Sequence, residues 1–128
     1  MTARAYSAPE IDRVVLAPVA ARTSTFTGTA LDLLNYDGLA EIVLHGVRTT
    51  GDLLPTIEDS ADGSTGFATI PASALSAALT AIAAGTDFIQ ARVLDVSIVK
   101  RFIRLIGTAS NTPNHTYGAT VGGFKKYR

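Results

Sequence analysis

Groups that titrate, ligate or attack are few and scattered in this chain. It has two histidines, His45 and His115, and no cysteine. The missing cysteine excludes a disulfide framework, a thiolate metal site and a cysteine nucleophile. Two distant histidines cannot make a His-rich metal cluster, and a mixed histidine and carboxylate site would need them to converge in space. His45 falls inside a strand pattern, where a ring faces solvent or makes one satisfied hydrogen bond, and His115 stands beside a turn, an ordinary place for a polar ring. Neither accompanies a nucleophile that it could activate. We read the chain as non-enzymatic, with no catalytic residue, no metal and no cofactor.

Three other stretches carry a trace of chemistry. The run Glu58-Asp59-Ser60-Ala61-Asp62-Gly63-Ser64 gathers hard-cation ligands, but it lacks the helices and the terminal bidentate glutamate of a calcium-binding EF-hand loop and reads as a solvated hairpin loop. Gly118, Gly122 and Gly123 lie late in a strand pattern and open no helix, so they cradle no phosphate; glycine there allows a bulge or the close approach of another backbone. The end, Phe124-Lys125-Lys126-Tyr127-Arg128, is basic and aromatic. Two rings and three positive charges in a short tail are a thin footprint for nucleic acid. They suit an arm that docks on an acidic neighbour with Tyr127 or Phe124 as its anchor.

Strands must position these residues. Leu53 to Phe67 and Lys100 to Phe124 each read as two strands joined by a turn, at Asp62-Gly63-Ser64 and at Ser110-Asn111-Thr112-Pro113-Asn114. Arg13 to Ala17 is a short strand ending at Pro18, and Thr23 to Leu34 is one bent strand or two short ones. Asn35-Tyr36-Asp37-Gly38 turns the chain into the strand Leu39 to Arg48, and Thr49-Thr50-Gly51-Asp52 turns it again. Pro55 marks an edge position or a bulge. Leu75, Leu79 and Ile82 have helical spacing, with Gly85 at the C-cap position, so Pro71 to Ala84 is expected to be a short helix or an irregular loop carrying one. Phe88 to Leu94 is a further strand, followed by a turn over Asp95 to Ile98. On Lys100 to Ala109, Ile103 and Leu105 share one face while Phe102 and Ile106 share the other, so both faces need cover. The expected class is all-β, a β-sandwich or jelly roll of about seven to nine short antiparallel strands with one short helix or loop insertion near residues 72–84.

The 128 residues suit one domain with a single core, and 47% hydrophobic against 17% charged residues fits a packed globule. We divide the chain into an N-terminal arm at 1–12, one β-sandwich domain at 13–124 and a basic tail at 125–128. The longest apolar stretch is too short to span a bilayer, and the first ten residues lack the apolar centre of a signal peptide, so synthesis in a cytoplasm and no membrane partner are expected. Net charge is zero, yet acids crowd Thr23 to Ala91 and only bases occur from Val96 to Arg128. Such asymmetry makes complementary surfaces, unless strand pairing intermixes the charges.

The succession LDLLNYDG, AEIVLHGV, IEDSADGSTGF, FIQARVL, KRFIRLIGTAS and TYGATVGGFKKY, from about Thr23 to the C-terminus, resembles the small structural proteins that decorate or cement the heads of tailed bacteriophages. The resemblance implies a β-sandwich subunit on the outer surface of the virion's capsid, bridging major capsid subunits and stabilising the shell. We further expect a homo-oligomer of closed symmetry, with a trimer favoured over a dimer, and no direct contact with nucleic acid. Such binding needs a rigid scaffold and arms; the contact residues expected are Arg4, Tyr6, Phe124, Lys125, Lys126, Tyr127 and Arg128. The rival functions are a head-to-tail connector or tail subunit, and a carbohydrate-binding adhesion module. The second lacks tryptophan and has its tyrosines dispersed.

Overall fold

A computed structural model describes residues 11–125. Two long strands, β4 (Tyr36–Ser60) and β7 (Phe102–Lys125), pair antiparallel from Tyr36↔Lys125 to Ser60↔Phe102 and form the spine. Over one half of this ribbon, β1 (Ile11–Arg22) pairs with β7 and β6 (Asp87–Asp95) pairs with β4. Over the other half, β2 (Phe26–Thr27) and β3 (Leu31–Asp32) pair with β7, and β5 (Ala68–Thr69) pairs with β4. The all-β class expected from alternation is observed. Hydrogen bonding joins these seven strands in one sheet, and the two spine strands, at 25 and 24 residues, are far longer than the short strands expected.

The length arises because two stretches of turn chemistry bend the chain without reversing it. The β4–β7 register slips between Arg48 and Thr50 and again between Thr50 and Asp52, opposite Ser110 to Asn114. Gly51 there has φ +79°, and Asn111 and Thr112 also lie in the left-handed region. A Cβ on Gly51 would stand 2.5 Å from Pro113 Cα, so the two bent strands meet closely. The buried side of β4 accordingly changes from Ala40, Ile42 and Leu44 to Leu53, Ile57 and Asp59, as an inserted residue requires of a period-two chain. The hairpin expected at Ser110 to Asn114 is therefore corrected to a bulge: both arms of Lys100 to Phe124 pair with β4 and not with each other. The turn expected at Thr49 to Asp52 is corrected in the same way. The hairpin through Asp62-Gly63-Ser64 is present, closing β4 onto β5.

The inner faces of both halves share one apolar cluster, with Ile42, Leu44, Val121 and Tyr117 from one half and Leu53, Ile57, Ile103 and Leu105 from the other. Phe26 meets Tyr117 edge-to-face at 6.2 Å. The outer side of the second half is covered from within: Phe102 lies under the Gly63 loop, and the Arg104 guanidinium stacks 3.7 Å over Phe67.

The helix near 72–84 shrinks to one 3₁₀ turn, Ala72–Ala74, followed by loop. Leu79 and Ile82 are buried, as the spacing suggested, but the backbone bonds go elsewhere. Ser76 N donates to Val93 O, the Gln90 side chain takes both polar groups of Thr80, and Ile82 exchanges backbone bonds with Leu53. Neighbouring strands supply the partners that a helix would have supplied internally. Strand β1 continues through Pro18 to Arg22, past its expected end, because register shifts on either side of Ala17 excuse the proline from the ladder. Pro55 stands opposite Gly107 of β7 with its backbone nitrogen turned away from that strand, in line with the outward bonds of Leu53 and Ile57, which is a local edge as expected.

Candidate interaction surfaces

The histidines occupy opposite environments. His45 is half-buried on the outer side of β4, between Ile89 of β6 and Gly118 of β7. His115 is 1% exposed at the bend, and its Nε2 meets no hydrogen-bond partner among the described residues. Burial, then the charge of Arg48, push His115 below the ordinary histidine value, against Asp52 and a hydrogen bond with the Gly51 backbone. Among the described residues no three His, Asp or Glu side chains gather to hold a metal.

The acidic loop spends its carboxylate on itself. Asp62 Oδ1 accepts from the backbone N–H groups of Ser64 and Thr65, each at 2.9 Å, and Oδ2 accepts from Thr65 Oγ1 at 2.8 Å. These donors hold the Asp62 carboxyl well below the usual carboxylate range. This is the bracing of a hairpin, as the sequence reading has it.

Pairing also dissolves the charge asymmetry. Arg104 bonds Glu58 at 2.7 Å directly across the β4–β7 ladder, and Arg101 grips Asp32 with two bonds at 2.8 and 2.9 Å. That grip lowers the Asp32 pKa. Bases of the last third thus neutralise acids of the first half, and no acidic face opposes a basic one through these groups.

The surface feature that sequence reading missed is the outer face of the half-sheet β1-β7-β4-β6. Of the ten large apolar residues exposed in the described chain, seven lie here: Val15 and Val19 on β1, Phe124 on β7, Leu39 and Val47 on β4, and Ile89 and Val93 on β6. Ile89 is 71% exposed and Val15 60%. Gly118 and Gly122 keep the middle of the face low: a Cβ on Gly118 would meet Val19 and the Ala17 carbonyl at 2.8 Å, and one on Gly122 would meet the Arg13 guanidinium at 2.6 Å. The close backbone approach expected at these glycines is present at Gly118, while Gly122 and Gly123 make room for the side chains of Arg13 and Tyr36. Arg13 crosses the middle of the face to Glu41 at 2.8 Å and donates to Thr120. The signal was in the sequence: in LAEIVLHGV both alternating sets are rich in apolar residues.

Of the expected contact residues, Phe124 is 44% exposed at the end of this face, and Lys125 pairs with Tyr36 through its backbone. Arg4, Tyr6, Lys126, Tyr127 and Arg128 lie outside the described residues. The register Ile11↔Phe124 puts the start of β1 and the end of β7 at the same end of the sheet. Tyr36 and Tyr117 are buried, and Tyr36 donates to Asp12 at 2.9 Å, so neither offers a ring for stacking on a sugar.

No family model and no curated protein matches the chain. Solved structures do resemble the fold. The SPBc2 prophage-derived protein YomS is 11% identical with a TM-score of 0.54, over 90% of this chain and 96% of that one. A chain of the infectious bursal disease virus, Gx strain, is 14% identical with a TM-score of 0.50, over 91% of this chain but 33% of its own length.

Proposed function

We propose that the protein is a structural subunit of a virion, and specifically a decoration or cement subunit that binds the outer surface of a phage head and bridges major capsid proteins. It works without chemistry, as a homo-oligomer. The fold likeness to a prophage-derived protein and to part of a virus chain, each over about nine-tenths of this chain, supports the virion reading. The resemblance of the succession from about Thr23 to the C-terminus to phage head-decorating proteins supports it from the sequence side. The observation that carries a non-chemical, assembling role is the surface itself: a largely apolar outer face, at one end of which β1 begins and β7 ends.

In this reading the arms before Ile11 and after Phe124, with Arg4, Tyr6 and the Lys125-to-Arg128 tail, meet the shell. Each contact can be weak, because a symmetric shell raises the effective concentration of the next one. Purified protein mixed with expanded shells lacking it should co-sediment, and cryo-electron microscopy should show ordered density outside the major capsid lattice. Deleting residues 1–10 or 126–128 should lower shell occupancy while the purified fold persists. Failure to pellet with shells, or density confined to the portal vertex, would replace the decoration role with a connector or tail role.

A further inference from the structure

We infer that the outer face of β1-β7-β4-β6 is a self-association surface, occupied by the same face of a second copy across a two-fold axis. Single-chain soluble proteins rarely leave a contiguous apolar patch of more than a few hundred Å² in water. Four strands about 4.8 Å apart, taken over the nine residues of β6 at about 3.3 Å each, span roughly 19 by 30 Å, or about 570 Å² in plan for the whole face with its polar residues included. Side-chain relief raises the accessible area toward the ~800 Å² per partner of a standard stable interface. The face therefore has about the extent that a dimer needs.

Charge selects the occupant. One row of the face, toward its Phe124 end, holds a cation and an anion, Arg13 and Glu41, already 2.8 Å apart and half exposed, while Asp87 and Asp95 stand at the two ends of its β6 rim. A face carrying both signs side by side is complementary to itself: a two-fold axis between them sets each Arg13 against the partner's Glu41, and the reverse, in an alternating group of four. A generally acidic or basic partner would leave one of the two charges opposed by its like. Apolar side chains on either side of this pair, Val15 on β1 and Val93 and Ile89 on β6, supply the desolvated contact area.

This inference extends the homo-oligomer in the proposed function to a named face and symmetry, and it is tested in solution without shells, so the two readings can fail separately. In sedimentation and light scattering the full chain should run at twice its 13.3 kDa mass. Ile89→Lys should weaken pairing by roughly tenfold or more. Leu54→Lys, an equally drastic change at a 46%-exposed position of the other half-sheet, should leave it unchanged. Arg13→Glu and Glu41→Arg should each be monomeric alone and should pair when mixed, a result that a purely structural role of this salt bridge does not produce. Thermal melts confirm that each variant is folded, and the mixing experiment decides the matter if Ile89→Lys is not. A wild-type chain that stays at 13.3 kDa up to about 100 μM, or an oligomer indifferent to Ile89→Lys and to both charge reversals, would overturn the inference.

Discussion

His115 follows a polar stretch that marks a turn, yet it is among the most buried residues of the chain. The stretch does carry the chain around a bend, and the bend points the ring inward against Arg48 and Asp52. The pH consequence follows from the direction of the shift. Its pKa is depressed on folding, so the native state takes up a proton less readily than the unfolded chain. The associated stability is fully present above the ordinary value of 6.5 and is lost as pH falls from there through the native value. Urea midpoints should therefore drop between pH 7.5 and 5, and His115→Gln should flatten that drop. The depressed carboxylates Asp32 and Asp62 act in a separate window, with stability present above 3.8 and lost below it. A midpoint indifferent to pH above 5 would contradict the account of His115.

At the scale of elements, one chemistry served two geometries. Gly51, Asn111 and Pro113 are residues that reverse a chain, and here they bend one, because both flanking arms of β7 find the same partner in β4. A test follows from two glycines. Gly51 and Gly66 both have positive φ, but a Cβ on Gly66 meets nothing within 4 Å while one on Gly51 meets backbone. Gly66→Ala should cost about 1 kcal/mol, and Gly51→Ala distinctly more, about 2–3 kcal/mol, in chemical denaturation. Equal costs would mean that the bend is not the tight crossing described. The stretch Pro71 to Ala84 teaches a related point. The spacing of Leu75, Leu79 and Ile82 correctly marked side chains that turn to the core, but helical spacing is not a helix when Ser76, Thr80 and Ile82 bond to strands on either side.

For the whole molecule, a single apolar cluster spanning both half-sheets predicts one cooperative unfolding transition, with far-ultraviolet circular dichroism and the fluorescence of buried Tyr36 and Tyr117 changing together. Separate transitions would mean that the halves are independent. The sequence by itself determined the strand content, the places where the chain bends and most of the inward residues. These follow from alternation and from the φ preferences of glycine, asparagine and proline, which act between near neighbours. Only the tertiary structure decided which bends reverse the chain, that acids and bases far apart in sequence cancel across the spine, and which of two apolar faces is left in water. Those outcomes depend on pairings such as Ile11↔Phe124 and Glu58↔Arg104, whose partners lie far apart along the chain, and no local preference encodes the choice among them.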